Sequence, residues 1–263
     1  MIRAIIFDLD GTLVRTEDLK ALSYARAAVS LRPGELEEAD VVEAFKDVVG
    51  LPREEVSEWL LRRFSLEEPV RARVKGKGAR SLWEEFAEVR LSIYEQMLDS
   101  PGLLMEYACP YNASLLDYAR SEGFHTGLAT MSHRPQATKV LSILQLQSKF
   151  SVIATRDNVQ RGKPDPEIYL SVAQQLGVPA RESLVIEDSV NGIRAAIAAE
   201  MPCIAVTSNF TRRSVHESGL VEKRWIVDNP VLLLTVARQM IADQRVADIM
   251  AQSLAPPQTD ESR

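Results

Sequence analysis

Cysteine and histidine are scarce: the 263-residue chain carries Cys109 and Cys203, and His125, His133 and His216. The cysteines form no C-x-x-C pair, and Cys203 lies in the apolar run PCIAV, where it reads as a small core residue. A disulfide framework is thereby excluded and a reducing compartment is expected. The histidines have no metal-ligand spacing, and Ser132-His133 makes no triad, because neighbours in sequence point apart. Basic charge is not in excess either. A net charge of -6 and a pI near 5.3 exclude the basic face that nucleic acid requires, leaving a small molecule as the expected partner. The longest apolar run, near VLLLTVA, is far too short to span a bilayer. Met1 leads almost directly into AIIF without a signal-peptide layout, and a soluble, cytoplasmic, monomeric protein is expected. No internal repeat is present.

What is present is alternation. The runs RAIIF (3–7), HTGLAT (125–130), FSVIA (150–154), SLVIE (183–187), CIAVT (203–207) and RWIVD (224–228) read as buried parallel strands. Between them NASLLDYARSEG, RPQATKVLSILQLQ, DPEIYLSVAQQLG and VNGIRAAIAAE carry helical periodicity, the pattern of an open α/β sheet covered on both faces. Asp165 followed by Pro166 marks a helix start and Gly177 its end. Residues 17–98 contain no convincing strand and read as an inserted all-helical domain, with capping boxes at Ser65–Glu68 and Ser81–Glu84. The expected division is a core of residues 1–16 and 99–245, a helical cap of 17–98, and a disordered tail of 246–263.

In such a sheet the ligand sits at the carboxyl ends of the strands. After the first run come Asp8 and Asp10, two apart and so on one side of a strand, roughly 4–7 Å from each other. Their repulsion is on the order of 2–4 kcal/mol at an effective dielectric near 20, so a positive partner is expected between them. Asp10-Gly11 also suits a hairpin turn, but the chain turns helical instead of returning as a strand. Thr130 ends the second run, as a site hydroxyl or a helix cap. Lys163 follows the third, as an anion-binding residue beside a helix start or a solvated loop lysine; Pro164 behind it rules out a P-loop. Glu187-Asp188 follows the fourth, as a second acidic pair or an N-cap. Separate caps and turns do not explain why acids, a hydroxyl and an ammonium all converge on one sheet edge.

As a set and in order, DxDGT (Asp8 to Thr12), the strand-end Thr130, Lys163 of GKPDP and the Glu187-Asp188 pair resemble the haloacid dehalogenase superfamily. The resemblance covers nearly the whole chain. The helical insertion falls between the first and second motifs, as in the subgroup of phosphatases and β-phosphoglucomutases. It implies a Rossmann-like open parallel sheet with a helical cap, and Mg2+ as the cation that offsets the paired aspartates. It further implies Asp8 as a nucleophile forming an aspartyl-phosphate, Asp10 as the acid and base, and Thr130 and Lys163 on the phosphoryl oxygens. The implied metal ligands are Asp8, the Asp10 backbone carbonyl and Asp188, with Glu187 direct or through water. Asp10 and the acidic pair point to phosphoryl transfer rather than dehalogenation, and Ser132 is placed near the phosphate.

Specificity is expected in the cap. In VVGLPREEV, Arg53 matches an arginine that clamps a second phosphate in the mutases, or is an exposed charge in a first helical turn. Thr16 matches a mutase hinge threonine, whereas Lys20 stands where mutases carry histidine, and Arg15 replaces an acid. Arg71, Arg73, Lys75, Lys77 and Arg80 read as a solvated loop in preference to an anion site. The expected activity is a Mg2+-dependent phosphatase of a small phosphate ester such as a sugar phosphate. The alternatives are a β-phosphoglucomutase-type isomerase and a receiver-like signalling module, the latter opposed by the cap, the chain length and Asp10.

Overall fold

The computed structural model describes residues 1–49, 51–73 and 81–254, with side chains through residue 250. Strand β1 (Ala4–Phe7) opens the chain. Six helices follow: α1 (Thr16–Leu31), α2 (Glu38–Phe45), α3 (Arg53–Arg63), α4 (Glu67–Arg73), α5 (Leu82–Leu98) and α6 (Pro101–Glu106). Then come α7 (Pro110–Ser121), β2 (His125–Ala129), α8 (Arg134–Ile143), β3 (Val152–Ala154), α9 (Glu167–Leu176), β4 (Ser183–Glu187) and α10 (Val190–Ala198). The chain continues through β5 (Cys203–Val206), α11 (Arg212–Ser218), β6 (Ile226–Val227) and α12 (Leu233–Leu254). The described residues fall into two compact units. One holds Met1–Leu13, Pro110–Arg134 and the chain from Ser148 onward; the other holds Val14–Cys109 and Pro135–Gln147. The second unit therefore takes in α6, which packs on α5, and most of α8.

The first unit is built on a six-stranded parallel sheet of order β3-β2-β1-β4-β5-β6. β1 and β4 are buried along their whole length, which explains the unbroken apolar spelling of AIIF and LVI. The outer runs yield less strand than their spelling suggests: β3 begins at Val152, and a 3-10 turn at Lys223–Trp225 leaves only Ile226–Val227 for β6. Ile6, Ala129, Val185 and Ala205 of the sheet pack with Val172 of α9 and Ile193 of α10. Each of the isoleucine and valine side chains among them contributes about 1.5–3 kcal/mol by leaving water. α9 starts one residue later than expected, at Glu167 with Pro166 as its N-cap, Asp165 Oδ1 still accepting from Glu167 N at 3.0 Å, and ends at Gly177 with φ +67°.

In the helical unit α1 packs on α2 and α5, and α3 and α4 pack on α5. Tyr24 of α1 is central, with ring centroids 5.6 Å from Phe45 and 5.9 Å from Phe86. The buried guanidinium of Arg90 lies over the rings of Tyr24 and Tyr94, at 4.9 and 4.5 Å. The Ser81–Glu84 capping box is present, but Ser65 does not cap α4. It takes φ +50° and closes α3, with Ser65 N donating to Arg62 O and Leu66 N to Leu61 O. The αL geometry satisfies carbonyls that α3 would otherwise leave open. A second difference lies at the end of the chain. α12 runs to Leu254, through residues 246–254 of the expected tail, because VADIMAQSL is made largely of good helix formers and proline first occurs at 256. The rest of that tail, and Lys75, Lys77 and Arg80 of the basic stretch, lie outside the described residues; Arg71 and Arg73 belong to α4. Among the described residues no helix is long and apolar enough to cross a membrane.

Gly127 of β2 shows how closely α9 approaches the sheet: a Cβ there would lie 2.4 Å from Val172 Cγ1. Gly127→Ala is therefore expected to destabilise the protein by about 1–3 kcal/mol through overpacking, measured as a lower midpoint of urea unfolding at unchanged slope.

Candidate active site

Strand register delivers the first two acids side by side. Phe7 lies level with Leu128 on one side and Ile186 on the other, so Asp8, the next residue, comes level with Glu187. Asp8 N donates to Ile186 O at 3.0 Å. The sheet order makes β1 the switch point, with crossovers leaving it in both directions, which is where open α/β sheets form a crevice.

Lys163 bridges the pair. Its buried Nζ donates to Asp8 Oδ1 and Glu187 Oε1, both at 2.6 Å, and to Ala129 O at 3.0 Å. Tyr169 of α9 supports the arrangement from below, its OH donating to Glu187 Oε1 at 3.0 Å and its ring centre 4.8 Å from Nζ. Glu187 Oε2 accepts from Asp188 N and Ser189 N at 2.8 Å and from Ser189 Oγ at 3.0 Å. The N-cap of α10 is Ser189, whose Oγ accepts from Gly192 N at 3.0 Å, so the acidic pair does not serve as that cap. Both oxygens of Glu187 are thus committed to protein donors, and it braces Lys163.

Burial is the largest influence on Asp8 and raises its carboxyl to about 8; the ammonium of Lys163 works against this, while the charges of Glu187 and Asp10 add to it. For Glu187 burial also acts upward, but Lys163 and the Ser189 donors outweigh it and the carboxyl lies below its usual range. Lys163 itself is raised, Asp8 and Glu187 overcoming its own desolvation.

Asp10 is half-buried and is held by two hydroxyls. Its Oδ2 accepts from Thr130 Oγ1 at 3.0 Å and from Ser132 Oγ at 2.7 Å. Ser132 N in turn donates to Thr130 Oγ1 at 3.0 Å, fixing the turn after β2. The third acid, Asp188, is buried against the backbone of Gly11, where φ is +85° and a Cβ would lie 1.9 Å from Asp188 Oδ2. Ligand oxygens of Asp8, Glu187 and Asp188 lie within 4.8 Å of one another. Three buried acids with one ammonium among them, all oxygen donors, suit a hard cation. Both oxygens of Glu187 already accept from protein donors, whereas Asp8 Oδ2 accepts none among the described residues.

The sheet unit therefore brings together Asp8, Asp10, Thr130, Ser132, Lys163, Glu187 and Asp188. Thr16 and Arg53 belong to the helical unit: Thr16 is buried at the start of α1, and Arg53 is the first residue of α3. Tyr169 and Ser189 were missed by the sequence reading. Ser189 is legible as S-x-x-G ahead of a helix, whereas nothing in EIYL distinguishes Tyr169 from an ordinary core residue.

Gly11→Ala is expected to lower stability, since alanine is strained at φ +85°, and to displace Asp188, since the added Cβ and the carboxylate claim one place. The expected outcome is a divalent-cation affinity lowered about tenfold or more, read by calorimetric titration with Mg2+.

A model of the family "haloacid dehalogenase-like hydrolase" matches residues 2–200. The phosphorylated carbohydrates phosphatase of Thermotoga maritima is 28% identical over 221 residues, covering 83% of this chain and 92% of that protein. The phosphoglycolate phosphatase of Shigella boydii is 26% identical over 215 residues, 80% of this chain and 82% of that protein. Among solved structures, a β-phosphoglucomutase from Clostridium difficile superposes with a TM-score of 0.60 over 95% of this chain and 100% of that one, at 23% identity, a likeness of fold. With the motif set gathered at one sheet edge and a family model matched over most of its length, the chain belongs to the haloacid dehalogenase-like hydrolases.

Proposed function

We propose that this hydrolase is a Mg2+-dependent phosphatase of a small phosphorylated metabolite, a sugar phosphate being the best candidate, acting through a phosphorylated Asp8. The observation that carries the reading is the asymmetry of Asp8: Lys163 holds Oδ1, while Oδ2 accepts no hydrogen bond among the described residues. An anchored carboxylate with one oxygen to offer is what an in-line attack on phosphorus needs. Phosphatase names among the relatives agree with it.

In this mechanism Asp8 Oδ2 attacks phosphorus, the P–O bond to the substrate breaks, and Asp10 gives its proton to the departing oxygen. As charge develops on the phosphoryl oxygens, Lys163 and Thr130 would each turn one donor to them from a present acceptor, Lys163 from the Ala129 carbonyl and Thr130 from Asp10. Asp10 then takes a proton from water, which attacks phosphorus and frees Asp8 and inorganic phosphate. Asp8 and Asp188 would hold Mg2+, with the Asp10 carbonyl as a further oxygen; bound there, it neutralises acid and phosphoryl charge. Thr130 and Ser132 keep Asp10 near the phosphoryl position between these two tasks.

Lys20 favours phosphatase over mutase. Its ammonium donates to Glu17 Oε1 at 2.6 Å, and lysine offers no acceptor nitrogen with which to hold back an aspartic acid. Family membership sets aside a receiver-like module.

Asp8→Asn is expected to lower turnover of a phosphomonoester by more than about a thousandfold in a folded protein, and near-normal steady-state activity would rule out the nucleophile assignment. Asp10→Asn should retain the phosphoryl group, seen as a mass increase of one phosphoryl on intact protein. Chelation by EDTA should abolish turnover and added Mg2+ restore it, and Asp188→Ala should raise the Mg2+ concentration giving half-maximal rate by about tenfold or more. Release of inorganic phosphate from glucose 6-phosphate should outrun interconversion with β-glucose 1-phosphate.

A further inference from the structure

Asn112 is a buried amide outside the motif set. It stands in the first turn of α7, 3% exposed, and its Nδ2 donates to Thr12 O at 2.6 Å. Thr12 is fully buried and lies two residues beyond Asp10. Two polar atoms there are left over: Asn112 Oδ1 and Thr12 Oγ1 are buried and have no hydrogen-bond partner. Unsatisfied buried polar atoms oppose folding; an aliphatic side chain at the same place on α7 would remove Asn112 Oδ1 but would leave the buried Thr12 carbonyl without its donor. What the amide adds is therefore its single bond to the Thr12 carbonyl.

Residues 9–13 form a tight turn in which Thr12 N and Leu13 N both donate to Leu9 O, at 3.3 and 2.8 Å, while Gly11 takes φ +85°. The direction of the Asp10 side chain follows from that turn. Asn112 grips the turn at the Thr12 carbonyl from a helix a hundred residues away in sequence. The hydroxyls of Thr130 and Ser132 hold the Asp10 carboxylate itself.

We propose that Asn112 is a positioning residue for Asp10: it fixes the Asp10–Thr12 turn from α7 so that the Asp10 carboxylate is held where the phosphorylated enzyme is hydrolysed. Asp8 depends on the turn far less, being tied to β4 by its backbone and to Lys163 by its side chain. Loss of the Asn112 grip therefore affects the second half of the reaction more than the first. The kinetic half of this inference rests on the proposed phosphatase reading; the mechanical half does not.

The test compares Asn112→Val with Asn112→Thr, two side chains of nearly equal volume of which only threonine keeps a donor. Hydrogen exchange of the full-length proteins is followed in the peptides spanning residues 8–14 and 183–188, and phosphorylation and dephosphorylation of Asp8 are timed by rapid quench with a phosphomonoester and Mg2+. In Asn112→Val, exchange over 8–14 is expected to rise about tenfold with 183–188 unchanged, and dephosphorylation to slow about tenfold with phosphorylation within about threefold of the parent. Asn112→Thr is expected to lie closer to the parent on both measures. Parent-like exchange in Asn112→Val, a rise spread equally over both peptides, or an equal loss in the two variants would overturn the proposal. If Asn112→Val does not fold, that too contradicts it, since an aliphatic residue is expected to be tolerated there. Should the parent release no phosphate from any ester, the phosphatase reading fails while the exchange comparison still decides whether Asn112 holds the turn.

Discussion

A single buried ammonium allows this sheet edge to exist. Register places Asp8 and Glu187 level on adjacent strands, out of water, where two carboxylates side by side would repel each other and lose their hydration. Lys163 meets both at 2.6 Å and also takes the carbonyl of Ala129, so one charge ties together the ends of β1, β2 and β4. The loop carrying it is itself fastened: Glu167 Oε1 and Oε2 accept from Gln160 N and Arg161 N, each at 2.9 Å, at the start of α9. Glu187 then transmits the constraint onward through Asp188 N and Ser189 to the start of α10.

The space around these acids is shaped by missing side chains. At Gly11 a Cβ would overlap the Asp188 carboxylate, and at Gly192 one would lie 1.6 Å from Glu187 Oε1. In both places an acid packs against bare backbone, so its direction is set by main chain, which has fewer ways to yield than a flexible side chain. Gly11 thus leaves room for an acid contributed from the end of another strand, β4, and Gly192, inside α10, for the acid that ends the strand just before it.

Local chemistry was legible in the sequence, and long-range partnership was not. Apolar runs mark the strands because parallel strands are buried on both faces, and the residue following each run marks the sheet edge because the chain must turn there. This is enough to bring Asp8, Asp10, Thr130, Lys163, Glu187 and Asp188 to one place. It does not reveal that Glu187 is committed to Lys163, Tyr169 and the Ser189 donors, since that depends on which atoms meet across the fold. Asn112 is equally silent in sequence, a helix-start asparagine whose partner lies at Thr12. Ser65 misled for a local reason: S-x-x-E suits a capping box, but the carbonyls at the end of α3 claimed the serine first, in the left-handed conformation.

Under the proposed mechanism, burial also divides labour between two aspartates only two residues apart. Asp8 is almost wholly out of water, and burial pushes its carboxyl upward against the opposing pull of the Lys163 ammonium. Asp8 and Asp188 would hold a divalent ion, whose charge would further favour the ionised form of Asp8 and offset that of an incoming phosphoryl group. Asp10 stands half-buried on two hydroxyls, close enough to solvent to exchange protons with it. One carboxylate is thus suited to bond to phosphorus and the other to move protons, and the difference arises from where the chain leaves the sheet: Asp8 still follows the strand between its neighbours, while Asp10 is already in the turn.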